Sequence, residues 1–216
     1  MNQLPPEPPL IVTLGRQMGC GGRELGRLLA DRLGIGYFDK EILVDSARAA
    51  GMNPDLLKSR DEQSPTFMSS VMTFAYGHNP FNFYGAPSVI GDDNLYAIQS
   101  DYIRRLGETQ SCVIVGRTAD YILRDHPRMV SVFLYATPED CARRIMERGD
   151  VKTMEEARDL AKRTNKIRAS YYNFYTDRKW GRASTYDLCV NTSLMTMEQV
   201  VDLIEYYINL RYGQSH

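Results

Sequence analysis

The chain has 216 residues, a formal net charge of −1 and 25% charged residues. That is long enough to bury one substantial core, and it carries no global field of the kind that draws nucleic acid or an anionic membrane surface. The opening MNQLPPEPPL has no basic region and no long apolar run, so it does not read as a signal peptide, and no stretch approaches the ~20 apolar residues of a membrane span. Cys20, Cys112, Cys141 and Cys189 stand singly without C-x-x-C spacing. This points to reduced thiols in the cytoplasm rather than to a disulfide framework or zinc site. With only His78, His126 and His216, a histidine-rich metal site is not expected.

The first predicted element is a strand over the apolar run Leu10 to Leu14. The segment Gly15 to Gly26, GRQMGCGGRELG, follows it, and an amphipathic helix carrying Leu25, Leu28, Leu29 and Leu33 comes next. A strand, a glycine-rich turn and a helix in that order form a phosphate cradle, because backbone N–H groups and the positive end of the helix dipole face the anion. Two consensus patterns nevertheless fail. Where GxxxxGK[ST] needs lysine and a hydroxyl after Gly21, the chain has Gly22 and Arg23, and GxGxxG fails because Gly19 and Gly21 are followed by Glu24. Taken alone, the turn is equally readable as a simple βα connection.

Gly34 ends the helix, Gly36 to Asp39 reads as a second strand, and Lys40 to Ala50 has a helical pattern that stops at Gly51. Asn53-Pro54 reads as an N-cap with proline at the first helical position. From Asp61 to Gly91 the rhythm breaks: Pro65, Pro80 and Pro87 interrupt a series of aromatics, Phe67, Phe74, Tyr76, Phe81, Phe83 and Tyr84. This reads as a long irregular insertion or a mobile subdomain, loops of this length being usually functional or disordered, and the 67–84 run is a candidate homodimer interface. A helix resumes at Asp92/Asp93 with Leu95, Tyr102, Ile103 and Leu106, and is expected to end at Gly107.

The second half alternates regularly. Cys112 to Val115 is a buried-type strand, a helix follows near Ala119 to Leu123, and Met129 to Tyr135 is the next strand. Thr137-Pro138 caps a helix, Thr153-x-x-Glu156 and Thr196-x-x-Gln199 are capping boxes opening two more, and Tyr186 to Val190 is a short strand between them. Five strands alternating with helices predict an α/β fold with a parallel sheet covered on both faces.

In such a sheet the ligand lies at the carboxyl ends of the strands. There the glycine turn, Asp39 and Gly116-Arg117 should meet, Arg117 offering a bidentate fork for a phosphate. A second basic cluster flanks a short connection at 149–152: Arg143, Arg144 and Arg148 before it, Lys162, Arg163, Lys166 and Arg168 after it. Cations closing over a transferring phosphoryl group stabilise its spread charge, and a solvated helix face paired with Glu147, Glu155, Glu156 and Asp159 is the competing reading. Tyr171, Tyr172, Phe174, Tyr175 and Trp180 read first as packing and second as a nucleobase platform. Cys20 reads as a small spacer, or as a thiol activated by the helix N-terminus.

Together these segments resemble the cytidylate kinase-like family, relatives of bacterial cytidylate kinase among the nucleoside monophosphate kinases. The resemblance runs from about Ile11 to about Asn209 and rests on GRQMGCGGRELGRLLADRLG, YFDKEIL, CVIVGRTADYIL, the R-R-x-x-x-R of Arg143 to Arg148, and KIRASYYNFYTDRKWG through YDLCVNTS. It implies a P-loop kinase-type fold: a single domain with its core at 10–39 and 106–212, a nucleotide-monophosphate-binding insertion at about 40–105, and a short lid near 149–152. It also implies ATP as phosphate donor and a CMP- or dCMP-like acceptor, with no nucleic-acid or membrane partner.

Carried over by position, Gly19, Cys20, Gly21, Gly22 and Arg23 would line the ATP phosphates with Lys166. Asp39 and Arg117 would hold the acceptor, and Arg144, Arg148 and Arg168 would supply charge around the transferring group. The family's aspartate before Lys166 is Asn165 here. Relative to authentic cytidylate kinases, the lysine and serine of the turn are Gly22 and Arg23, and two acids of the DGRD segment are Val115 and Thr118. Mg²⁺ would thus lack its usual ligands, with Asp39 and Asp120 as the remaining candidates. Arg16 and Arg23 are the candidates to replace the lysine. The alternative outcome of these losses is a nucleotide-binding sensor or interaction protein without catalysis.

Overall fold

The structure is a computed structural model that describes residues 7–39, 45, 49 and 92–213. Five strands, β1 (Ile11–Arg16), β2 (Gly36–Phe38), β3 (Cys112–Val115), β4 (Met129–Tyr135) and β5 (Leu188–Asn191), form one sheet in the order β2-β3-β1-β4-β5. Every pairing is parallel. Six α-helices are described: α1 (Gly22–Leu33), α2 (Asp92–Thr109), α3 (Ala119–Ile122), α4 (Pro138–Glu147), α5 (Met154–Tyr175) and α6 (Met197–Tyr212).

Strand alternation divides the core into two layers. Val12 and Leu14 of β1, with Val113, Val115, Val130 and Val132, pack against Leu25 and Leu29 of α1 and Val200, Val201 and Ile204 of α6. Ile11, Cys112 and Ile114 face the other way, onto Ile103 of α2 and Ala119 and Ile122 around α3. Both faces are therefore apolar, as a parallel sheet covered by helices requires. A third cluster, Ala142, Ile145, Ala157 and Ala161, joins α4 to α5.

The local signals act as their chemistry predicts. Thr137 accepts the Asp140 amide with Pro138 in the first turn, and both capping boxes are complete, Thr153 with Glu156 and Thr196 with Gln199. Gly107 differs from expectation: α2 runs through it to Thr109. A β-carbon there would stand 3.0 Å from Leu123 Cδ2, so this glycine allows helix and turn to approach rather than ending the helix. The last strand starts two residues later than expected, because Tyr186 and Asp187 turn out of the 3₁₀ helix at Ala183–Thr185 before pairing begins. The expected helix at 40–50, the Asn53-Pro54 cap, the 61–91 segment and its aromatic run lie wholly or largely outside the described residues.

Candidate phosphate site at the carboxyl ends of the strands

The chain leaves the central strand β1 between neighbours β3 and β4, which the sequence reaches by crossovers on opposite sides. That is the switch point where open α/β sheets form a crevice. The glycine turn occupies it. Gly19 (φ +83°) and Gly21 (φ +82°) are both left-handed, a conformation costly for any residue with a β-carbon. A β-carbon on Gly19 would also run into the Cys141 carbonyl of α4. Gly21 is the N-cap of α1 and supplies no side-chain cap, so the first turn of the helix presents backbone N–H donors.

Around this turn the structure gathers arginines. Arg16, at the end of β1, places Nη2 3.1 Å from Asp39 Oδ1, and Arg23 in the first turn of α1 places Nε 2.7 Å from Asp39 Oδ2. One buried carboxylate thus bridges two guanidiniums. Arg23 remains 59% exposed at its side chain, whereas Arg16 is only 17% exposed. Arg168 of α5 donates from Nη1 to the Arg16 carbonyl at 3.0 Å. Burial first, then Arg117 and Arg23, disfavour the charge on Arg16, with Asp39 opposing them; burial and Arg16 do the same to Arg168. Like charges are thus crowded around a single carboxylate.

Gly116, Arg117 and Thr118 have φ of +76°, +58° and +52°. Two consecutive non-glycine residues in the left-handed region store strain of the kind found at binding sites. The bend points half-buried Arg117 away from the buried strand, and its guanidinium makes no ion pair among the described residues. Gly116 is required because a β-carbon there would meet the Arg16 guanidinium.

Arg144 has a different task. Its fork is closed on Thr192, Nη1 to Oγ1 and Nη2 to the carbonyl, each at 3.0 Å, and Thr192 Oγ1 reaches the Cys20 carbonyl at 2.9 Å. Arg144 therefore braces the turn from behind. Arg148 is exposed and pairs with Asp150 at 2.7 Å, and Lys166 is an exposed residue of α5. Cys20 is fully buried, and burial outweighs the Gly22 amide and the nearby arginines to push its thiol pKa up. It is a neutral spacer rather than an activated nucleophile.

Several participants escaped the sequence reading. Asn165 Oδ1 accepts the Met18 amide at 2.8 Å and ties the glycine turn to α5; its place as the family's aspartate was the available signal. Thr192 had none beyond following a strand. Gln99 of α2 is buried beside Tyr171. The aromatic run is mainly packing: Tyr96 stacks on Tyr175 at 4.0 Å and Trp180 meets Phe133 edge-on at 5.1 Å.

Neither remaining acid is free to take Mg²⁺. Asp39 is held by two guanidiniums, and buried Asp120 accepts the Tyr172 hydroxyl at 2.6 Å. Among the described residues no group of three or more His, Cys, Asp or Glu could hold a metal. Among them too, no helix is long and apolar enough to cross a membrane.

Comparison with known proteins agrees with this geometry. An uncharacterized protein from Eubacterium ventriosum superposes with a TM-score of 0.68 at 27% identity, covering 93% of this chain and 98% of that one. A shikimate kinase from Bacteroides thetaiotaomicron (TM-score 0.52, 14% identity, 93% and 98% covered) and a gluconokinase from Sinorhizobium meliloti (0.51, 15%, 97% and 98%) share the fold. The architecture is that of the P-loop kinases. No curated protein matches the chain significantly. The sequence matches the profile of one family over residues 11–194, and the chain belongs to that family, the cytidylate kinase-like family.

Proposed function

We propose that the protein is a phosphotransferase moving the γ-phosphate of ATP to a nucleoside monophosphate, CMP- or dCMP-like, or to a related acceptor, in a reducing cytoplasm. The observation that carries this reading is the charge balance at the turn: Arg16, Arg23, Arg117 and Arg168 converge with Asp39 as the paired acid. Arg16 and Arg168 are the buried members of this excess, and burying cations is costly unless an anion neutralises them. The residues suit the phosphates of ATP but not a protein-held divalent cation.

In this reading the amides of Gly19 to Gly22 hold the donor phosphates, and Arg16 supplies the cation that the consensus lysine would give. Arg117, without an ion pair, grips the acceptor phosphate, which the bent Gly116 to Thr118 segment aims into the crevice. Arg168 adds charge over the transferring group, as Arg148 and Lys166 would on closure of the 149–152 connection; excluding water there strengthens each interaction. ATP turnover in a coupled assay with CMP, dCMP, UMP and further acceptors tests the proposal. No turnover across the panel, from protein shown to bind ATP, rejects it.

The engagement of both candidate acids favours one second reading, a nucleotide-binding sensor derived from a kinase. It predicts ATP binding without turnover, the same result that rejects the first.

A further inference from the structure

At the far end of the sheet from the glycine turn, a cavity of about 240 Å³ opens where β4 begins and the chain enters β5. The strands are parallel, so their starts lie about 20 Å from the crevice, the six steps along seven-residue β4 at ~3.3 Å each. The cavity wall is nearly all polar, and three guanidiniums, Arg124, Arg178 and Arg211, face one carboxylate, Asp187.

Asp187 is fully engaged. Its Oδ2 accepts the amide and hydroxyl of Ser131 at 2.8 and 2.9 Å, and its Oδ1 pairs with Arg211 at 2.8 Å. That carboxylate therefore pairs with Arg211 and with neither Arg124 nor Arg178, although the Arg178 charge favours the ionised form of buried Asp120. Arg124 and Arg178 both lie over the ring of Tyr121, 4.4 and 5.5 Å from its centre. Stacking uses the face of a guanidinium and leaves N–H edges for an oxyanion. Arg124 donates from Nη1 to the Tyr121 carbonyl at 2.7 Å, which leaves its other N–H groups, and its one ion pair among the described residues is with Asp125, 3.7 Å away and 90% exposed. Arg178 makes no ion pair among the described residues. Two like charges are thus held on one ring beside a polar cavity, an arrangement that a dianion between them would stabilise.

We propose that this cavity binds a phosphate-type dianion between Arg124 and Arg178. Its volume is that of roughly eight liquid waters, so a small phosphomonoester fits as well as free phosphate. The single tryptophan, Trp180, lies two residues from Arg178 and provides a local signal.

The test is calorimetric titration of the full chain with inorganic phosphate and, separately, glycerol phosphate, with Trp180 fluorescence followed in parallel at constant ionic strength. Binding that perturbs Trp180 is expected in the wild type and in Arg16→Ala, weakened about tenfold or more in both Arg178→Gln and Arg124→Gln and largely kept in Arg178→Lys. Tighter binding of the ester identifies a phosphomonoester as the ligand, and equal or weaker binding identifies free phosphate. If Arg178→Gln does not fold, exposed Arg124→Gln carries the same measurement. Phosphate binding indifferent to both glutamine variants, or none at tens of millimolar, overturns the proposal. Because Arg16→Ala perturbs only the glycine turn, the outcome is independent of whether the turn binds ATP.

Discussion

Arg16 and Gly22 compete for one space. An ideal β-carbon on Gly22 falls 2.9 Å from Arg16 Cβ and 3.0 Å from its Cγ. Position 22 is where the P-loop consensus has its lysine, and position 16 is where the family's first loop glycine stands. Under the proposed function the two departures are one exchange, in which the cation moves from the start of the helix to the end of the strand.

That exchange predicts non-additivity. Restoring the consensus residue by Gly22→Lys alone should destabilise the fold by about 1–3 kcal/mol, the usual cost of overpacking, and should not improve nucleotide binding. Adding Arg16→Gly should recover most of the loss, with a coupling energy of about 0.5–3 kcal/mol between the sites. Urea melts of the two single variants and the double variant measure it. Strict additivity would show that the side chains do not share the space.

The two arginines on Asp39 should behave differently. Arg16 is buried beside the turn, whereas Arg23 is mostly exposed. Arg16→Ala should weaken ATP binding by about 1.5–3 kcal/mol, the scale of a hydrogen bond to a charged group, and Arg23→Ala by well under 1 kcal/mol, since screened surface charges contribute little. Equal, negligible effects in a titration with a non-hydrolysable ATP analogue would mean that neither takes the lysine's place.

Much of this was legible in the sequence because it rested on periodicity and local chemistry. Parallel strands buried on both faces, paired capping boxes and a glycine turn after the first strand lead directly to the observed sheet. Asp39 could be named because topology brings strand ends together, and Arg16 and Arg23 because they flank a turn that lacks the consensus lysine. What stayed hidden depends on side-chain direction. Arg144 and Arg148 lie one helical turn apart, yet one closes on Thr192 and the other pairs with Asp150 in solvent. No spacing rule separates them, since the difference is made by β5 and its following turn, 48 residues away from Arg144. Gly107 misled for a related reason, because a close approach to Leu123 and a helix stop both ask for glycine.

The engagement of both candidate acids makes metal dependence a direct test. ATP affinity should change less than about threefold between excess Mg²⁺ and excess EDTA, because Asp39 and Asp120 are both engaged and no group of three or more His, Cys, Asp or Glu among the described residues could hold the ion. Enzymes that hold Mg²⁺ through one or two carboxylates and the phosphates should lose far more. A tenfold or larger gain on adding Mg²⁺ would show that acids outside the described residues complete a metal site.

Asp120 gives the chain a pH signature of opposite sign to an ion-paired acid. Burial raises its pKa above the ordinary 3.8, although the hydrogen bond from Tyr172 works the other way. Between the ordinary and the raised value the folded state holds a proton that the unfolded state has released. Stability from this group must therefore fall as pH rises through that interval. Asp120→Asn cannot titrate, so the wild type should lose stability relative to the variant as pH is raised from 4 towards neutrality, whatever constant offset the amide introduces. Tyr172→Phe removes the hydroxyl that favours the carboxylate, so it should push the Asp120 pKa higher still and move the loss to higher pH. It should also cost about 1–3 kcal/mol at neutral pH, where the buried carboxylate is left short of a donor. Denaturant melts at half-unit pH intervals measure both effects, and parallel curves for wild type and Asp120→Asn would place this carboxylate in solvent rather than in the core.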